Sequence, residues 1–338
     1  IDLKPMSKAI FFLSRAFLII NLYNVKNYKN LKEFYKVYRQ NFKNQKNIIE
    51  DDYNFGKIID QNKQKLDNTI KKLLEIKKLQ LSNDMNGLIF NSLLRGKYEA
   101  GEGLGTFLTP EEIVSPMVEM IIDLYFYSNK KLNGFVGDIS GGTGRFVYSL
   151  KNSLNKIDKN FYKKINTHCF LYDQSSLSVS LAKINFYLEN YNPQFYKVND
   201  SITSKEIMKL SDKFSLLATN PPFGKNKYQY NYDLDKFINV NILSDLKISK
   251  KESKIDPAEL FIIKNFYLLH DGGVLGIVLP DGICQTNRID KIITSYEKNE
   301  GKNINLVAKI SLPSQSFSLT GTVAKSSFLI LQKSSKKN

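Results

Sequence analysis

The sequence predicts an α/β fold: a seven-stranded, mostly parallel sheet covered by helices on both faces, preceded by an N-terminal helical domain. Three observations carry this. From Gly134 onward, short β-branched or aromatic runs alternate with helical patterns, as βαβ units require. The central run, Phe214-Ser215-Leu216-Leu217-Ala218-Thr219, is apolar nearly throughout, which fits a strand covered on both sides. Before Leu81 the apolar residues recur at helical spacing, with Lys and Asn filling the outer face.

Taken in order, the helical domain occupies residues 1–100, with Leu66, Ile70, Leu73 and Leu74 on one face. The apolar run from Ala9 to Ile20 is broken by Ser14 and Arg15, and a membrane span needs about 20 apolar residues. It reads as a buried helix, and no membrane association is expected. A further helix with Leu88, Ile89, Leu93 and Leu94 leads into Gly101-Glu102-Gly103-Leu104-Gly105, a loop or hinge that opens the α/β domain, residues 101–338. The expected strands are Phe135–Ile139, His168–Asp173, Gln194–Val198, Phe214–Thr219, Gly273–Leu279, Ile304–Ile310 and Val323–Leu331. The helices between them are Arg145–Leu154, Ser176–Tyr191, Pro257–Leu269 and Gly282–Lys298, and the stretch from Gly224 to Ile255 is irregular. No internal repeat is present.

With 338 residues, 42% of them hydrophobic, the chain can bury one large core and a smaller satellite. Its 49 Lys and Arg against 33 Asp and Glu give a formal charge of +16, which favours a polyanionic partner through counterion release. A compositional bias spread over all solvated faces accounts for the charge equally well. The two cysteines, Cys169 and Cys284, have no CxxC spacing, so neither a disulfide framework nor a zinc site is supported and a reducing, cytoplasmic setting fits. The chain begins at Ile1 rather than Met, as a fragment or a processed product would.

The chemistry-bearing residues cluster at strand ends. Strand one runs into Asp138-Ile139-Ser140-Gly141-Gly142-Thr143-Gly144-Arg145-Phe146, a glycine-rich turn opening a helix, where backbone can approach a ligand closely. The spacing is not that of a dinucleotide fingerprint. Strand two ends in Asp173, followed by Gln174, where a carboxylate can accept both hydroxyls of a ribose. Strand three ends in Asn199-Asp200-Ser201, where an adenine amine or ring edge can be hydrogen-bonded. Together the three ends describe a crevice shaped for a nucleoside.

Asn220-Pro221-Pro222-Phe223 follows the fourth strand. Two consecutive prolines remove two backbone donors and stiffen the turn, leaving carbonyl oxygens without ladder partners. Asn220 Oδ1 and the Pro221 carbonyl can each accept one N–H of a planar amine, so that its lone pair develops toward a methyl group as the bond forms. Phe223 would stack on an extruded base, because the target nitrogen cannot meet a methyl donor inside an intact duplex. Its alternative is to plug the core beneath the turn.

On these residues, Asp84 to Lys333 resembles the N6-adenine DNA methyltransferases, and among them the modification subunits of type I restriction systems and related gamma-order enzymes. The family's donor turn reads Asp-Pro-x-x-Gly-[Thr/Ser]-Gly, and Asp138 to Gly144 keeps all but the proline. The family's Phe-x-Thr-Pro segment is matched by Phe107-Leu108-Thr109-Pro110 after Thr106, with Leu108 where an aromatic is common. Asp256-Pro257-Ala258-Glu259-Leu260-Phe261, Leu268 to Gly273 and Leu279-Pro280-Asp281-Gly282 are similar to the segments that follow the catalytic turn, and Ser311 to Phe317 with Thr320-Gly321-Thr322 to the stretch lining the flipped-base pocket.

The resemblance implies a Rossmann-like sheet of the S-adenosylmethionine-dependent methyltransferase type, a restriction-modification or related system and adenine in DNA as substrate. It assigns Asn220, Pro221, Pro222 and Phe223 to catalysis, and Phe223 and Phe317 to the target base. Contacts to S-adenosyl-L-methionine would come from Thr106, Phe107, Leu108, Thr109, Pro110, Asp138, Ser140, Gly142, Thr143, Gly144, Phe146, Asp173, Gln174, Asp200, Ser201 and Asn220. Without the resemblance, Thr109 and Pro110 read as the N-cap and first residue of a helix. With no target-recognition domain after Asn338, sequence specificity is expected from a separate subunit. The same turn also serves methylation of guanine in RNA and of a protein glutamine, and a donor-binding assembly subunit is a further alternative. Glu75-Ile76-Lys77 has a nuclease-like acidic-x-Lys pattern, but it sits in a helical segment. His270, at the end of an expected helix, reads as a C-terminal cap.

Overall fold

A computed structural model describes residues 63–78, 109–187, 191–222, 228–230, 233–248, 255–317 and 325–335, with positions 13, 16, 20, 30, 32–34, 36–37 and 189. By packing, the chain divides into two compact units, Ile1–Gly105 with Ser180–Asn192, and Thr106–Val179 with Pro193–Asn338. Within the first, helix α1 (Lys63–Lys78) buries Ile70 and Leu73, and it contains the Glu75-Ile76-Lys77 triplet. Among the described residues no helix is long and apolar enough to cross a membrane.

The second unit is built on a seven-stranded sheet in the order β3-β2-β1-β4-β5-β7-β6. Its strands are β1 (Phe135–Asp138), β2 (Cys169–Asp173), β3 (Gln194–Lys197), β4 (Phe214–Thr219), β5 (Leu269–Pro280), β6 (Lys302–Ser311) and β7 (Ser326–Ser335). The first five pair in parallel, whereas β7 runs antiparallel to both β5 and β6. Every residue of β2 and β4 is buried, as their near-continuous apolar sequences require of strands covered on two faces. Winding proceeds outward from β1 to β3 on one side and from β4 onward on the other. The switch point therefore lies between β1 and β4, and the crevice at their carboxyl ends is where such sheets bind ligands.

Helix α2 (Glu111–Ser128) buries Val114, Met117, Val118 and Ile121 along one stripe. Helix α3 (Arg145–Ile157) buries Phe146, Val147, Leu150 and Leu154, helix α4 (Ser176–Tyr187) follows β2, helix α5 (Pro257–Leu268) precedes β5 and helix α6 (Arg288–Glu300) precedes β6. Gly141 has no room for a side chain: a Cβ there would lie 2.2 Å from Leu171 Cγ. Gly142 and Gly144 adopt φ of 51° and 83°, a region that L side chains rarely enter, so the turn after β1 depends on glycine twice more.

Several sequence expectations are corrected. Thr109 does not cap α2: Pro110 occupies the N-cap, and the Thr109 hydroxyl is engaged elsewhere. The helix expected over Gly282–Lys298 is two, Asp281–Cys284 and α6, because the Thr286 hydroxyl donates to the Ile283 carbonyl and accepts from Arg288 N, displacing helical bonds. His270 is no helix cap. It lies in β5, which starts at Leu269, with Nε2 2.8 Å from Ser215 Oγ and Nδ1 2.6 Å from the Asp271 carbonyl. The Ser176 helix stops at Tyr187, and the last strand extends to Ser335.

Candidate active site

At the carboxyl end of β1, Asp138 is buried, and its Oδ1 accepts from Ser140 N at 2.9 Å and from Thr219 Oγ1 at 2.6 Å. Burial raises its carboxyl to about 7, opposed by the Thr219 and Ser140 hydrogen bonds and reinforced by the charge of Asp173. Ser140 Oγ lies 2.6 Å from Thr219 Oγ1, so a chain of three side chains joins β1 to β4 at the switch point.

Asp173, at the end of β2, accepts from Gly142 N at 2.9 Å through Oδ2 and from Ser175 N at 2.8 Å through Oδ1. Burial raises its pKa and these two amides lower it. Each oxygen keeps a second lone pair, so the carboxylate can both brace the glycine turn and accept from a vicinal diol. The same turn is closed by Gly141 N donating to the Tyr172 carbonyl at 3.0 Å.

Asp200, after β3, accepts from Ile202 N at 2.9 Å, from the Thr203 hydroxyl at 2.8 Å and from the Tyr228 hydroxyl. Tyr228 pairs with Ile255 through an antiparallel bridge, so the two ends of the irregular stretch meet beside the third strand end. Lys264 of α5 is fully buried, and its Nζ has no hydrogen-bond partner and sits 5.3 Å from the Phe237 ring centroid. Desolvation lowers its ammonium to about 8, against the pull of Asp200.

Asn220 follows β4. Its Nδ2 donates to Thr109 Oγ1 at 3.0 Å, and its Oδ1 is buried with no partner among the described residues. Thr109 is held in turn by Arg145, whose Nη1 donates to the Thr109 carbonyl. Pro221 is buried and Pro222 exposed. A buried acceptor without a donor costs about 1–3 kcal/mol, so Asn220 Oδ1 is a site where an N–H donor would be stabilised.

The structure thus places Thr109, Asp138, Ser140, Gly142, Asp173 and Asn220 in three hydrogen-bonded groups at the carboxyl edge, Asn220–Thr109–Arg145, Ser140–Thr219–Asp138 and Gly142–Asp173, which together form the network at the strand ends. Thr143 and Phe146 are buried in the turn and first turn of α3, Gln174 is exposed, and Ser201 is buried beside Asp200. Phe317 is 1% exposed, at the end of the turn after β6. Thr106, Phe107, Leu108 and Phe223 lie outside the described residues. Sequence reasoning missed Thr219, Arg145, Tyr228 and Lys264. Thr219 was open to detection as the last side chain of the strand carrying Asn220. Two clefts lie elsewhere, one of about 330 Å³ bordered by Cys284, Asn287 and Lys309, the other of about 350 Å³ bordered by His168, Asp212 and His270. Neither contains a residue of the network. Among the described residues no cluster of His, Cys, Asp or Glu is arranged to hold a metal.

A doubly wound sheet with a glycine turn after β1, carboxylates after β2 and β3 and Asn-Pro-Pro after β4 defines a class of α/β proteins whose ligand crevice lies at the switch point. More particularly, the chain belongs to the N-6 DNA Methylase family, whose model matches residues 81–338. It is 29% identical over 160 residues to the type II methyltransferase M.MamI of Microbacterium ammoniaphilum, a match covering 45% of this chain and 44% of that protein. The aligned part is thus less than half of that relative. A chain assigned as a class I S-adenosylmethionine-dependent methyltransferase from Listeria monocytogenes shares the fold, with a TM-score of 0.61, 16% identity and coverage of 98% of this chain and 89% of the other. So does a type I restriction-modification methyltransferase subunit from Streptococcus thermophilus, with a TM-score of 0.57, 17% identity and coverage of 97% and 78%.

Proposed function

We propose that the chain transfers a methyl group from S-adenosyl-L-methionine to the exocyclic N6 amine of adenine in DNA, as the modification component of a restriction-modification system. The single observation that carries this is Asn220 Oδ1, a buried acceptor without a partner beside a diproline turn. The amine of adenine is a poor nucleophile because its lone pair is delocalised into the ring. Two N–H bonds, to Asn220 Oδ1 and the Pro221 carbonyl, would hold the nitrogen so that charge developing on it is stabilised in the transition state.

The donor, when bound, supplies an electrophilic methyl carbon on sulfur. The residues present fit it: the turn at Gly141 leaves no room for a side chain, Asp173 would accept from the ribose hydroxyls and Asp200 from the adenine edge. Thr109, Pro110 and Asp138 would line the methionine end, with Ser140, Gly142, Thr143 and Gly144 in the turn. Phe223, with Phe317, would stack on the extruded base. In this reading residues 1–100 would be the helical domain and 101–338 the catalytic domain.

Family membership and the charge of +16 support a DNA substrate. Likeness to a type I methyltransferase subunit supports a separate specificity subunit as partner. Both cysteines are free and buried, which fits the cytoplasm.

The test is incubation of the protein with isotope-labelled donor and, separately, DNA, RNA and protein, with and without candidate specificity subunits, followed by mass spectrometry of the product. N6-methyladenine in DNA, lost in Asn220→Ala, is the expected result. Label on a glutamine or on RNA guanine overturns it.

A further inference from the structure

Methyl transfer to an amine leaves one proton too many on nitrogen. The N–C bond forms from the nitrogen lone pair, the C–S bond breaks with its electrons kept by sulfur, and the methylated nitrogen carries the positive charge until an N–H bond gives up its proton. Asn220 and Pro221 present carbonyl oxygens, which accept hydrogen bonds but are far too weakly basic to keep that proton.

Next to them stands a group that can. Thr219 immediately precedes Asn220, and its hydroxyl has one hydrogen, which is donated to Asp138 Oδ1 at 2.6 Å. The contact of 2.6 Å between Thr219 Oγ1 and Ser140 Oγ therefore takes its hydrogen from Ser140. Ser140 in turn presents free lone pairs. The chain of hydroxyls is polarised in one direction, from half-buried Ser140 through fully buried Thr219 to Asp138, which is 2% exposed. All three residues lie at the switch point between β1 and β4, on the strand ends that carry the glycine turn and Asn220.

We infer that Ser140, Thr219 and Asp138 form a proton relay that clears the methylated amine. This rests on the methyl-transfer reading above. A proton reaching Ser140 Oγ releases the Ser140 hydrogen to Thr219, Thr219 releases its own to Asp138, and the N–H electron pair returns to nitrogen. One carboxylate becomes one carboxylic acid, and the product leaves as a neutral N-methyl amine. Between turnovers the carboxyl returns its proton to solvent by the reverse path. The acid strength suits the task, because burial has already brought the Asp138 carboxyl to about 7, with Asp173 on β2 as the neighbouring charge and the Thr219 and Ser140 bonds opposing. A structural tie between two strands would need the hydroxyls but not that acid strength.

The experiment separates hydroxyl from shape. Thr219→Val keeps the volume and deletes the hydrogen, and Ser140→Ala opens the chain at its outer end. Thr219→Ser and Ser140→Thr keep both hydroxyls. Single-turnover methylation of DNA is measured from pH 5.5 to 8.5, and the Asp138 carboxyl band is titrated by infrared difference spectroscopy in protein without donor. The expected result is a loss of about 10²-fold in the transfer rate for Thr219→Val and Ser140→Ala, with the acidic limb of the pH profile abolished. Thr219→Ser should stay within a few-fold of wild type, and Ser140→Thr should recover the acidic limb that Ser140→Ala loses. In the donor-free protein the band should titrate near neutrality and move to higher pH in Thr219→Val. Wild-type rates and profiles in Thr219→Val and Ser140→Ala, or an Asp138 band that titrates as an ordinary carboxylate, overturn the relay while leaving methylation standing. If the wild-type protein methylates no adenine, the reading beneath the relay falls and the relay with it.

Discussion

Asn220 Nδ2 donates to Thr109 Oγ1 across 3.0 Å, and this one bond fixes which end of the amide is left for a ligand. The amide nitrogen is engaged by Thr109, and the oxygen remains, buried and without a donor among the described residues. Thr109 is fixed through its carbonyl by Arg145, the first residue of the helix that the glycine turn opens. Thr109 therefore ties the helix that follows the glycine turn to the residue that opens the diproline turn.

Thr109→Val keeps the shape of the side chain and deletes the acceptor for Asn220 Nδ2. Losing one orienting hydrogen bond of about 1 kcal/mol should lower single-turnover methylation by about 10-fold while donor affinity, measured by calorimetry, changes little. An unchanged rate would show that the amide is oriented without Thr109.

Asp138→Asn should stabilise the protein in a pH-dependent way. The folded carboxyl is raised to about 7 from an ordinary value of 3.8, so the folded state binds the proton more tightly than the unfolded chain. Its stabilising contribution is present below the unfolded value and is lost as pH rises through about 7. The asparagine variant should match wild type near pH 4 and exceed it by up to roughly 4 kcal/mol above pH 8, a shift read by denaturant melts at each pH. A difference that grows instead toward low pH contradicts the assignment.

Gly141→Ala places a Cβ 2.2 Å from Leu171 Cγ, in a turn whose amide already bonds Tyr172. Overpacking of this kind should cost about 1–3 kcal/mol of stability and weaken donor binding. Adding Leu171→Ala should restore part of the donor affinity, because the two sites share one contact. Full additivity of the two changes in a double-mutant cycle would place the clash elsewhere.

Lys264→Met should raise the melting temperature at neutral pH. The folded ammonium is lowered to about 8 from an ordinary value of 10.5, so its burial penalty is largest below pH 8 and is relieved as pH rises toward 10.5. A buried charge replaced by an apolar side chain of similar length is neutral or stabilising by about 1–4 kcal/mol. A marked loss of stability at pH 7 would mean that Lys264 has a stronger partner than Asp200.

The order of the elements and the principal strand ends were legible along the chain because each rests on local chemistry. Glycines at Gly141, Gly142 and Gly144 mark a turn that no side chain can occupy, and two prolines after an apolar run mark a strand end whatever lies around it. The mistaken positions are those where a distant group competes. Thr109 reads as a helix cap until Asn220, 111 residues away, takes its hydroxyl, and His270 reads as a helix end until Ser215 of β4 draws it into β5. The break at Thr286 is local but depends on a side-chain bond that periodicity does not register.

The sequence by itself determined that this chain is an α/β protein with a glycine turn after its first strand and a diproline turn after its fourth, since backbone sterics and hydrophobic period are written residue by residue. Only the tertiary structure decided that β1 and β4 are neighbours at the switch point. That adjacency buries Asp138 against Thr219, leaves Asn220 bonded to Thr109 and makes the carboxyl a weaker acid than it is in water. The physical reason is that desolvation and hydrogen-bond partnership depend on what packs against a residue, and residues 81 positions apart in the chain settle both.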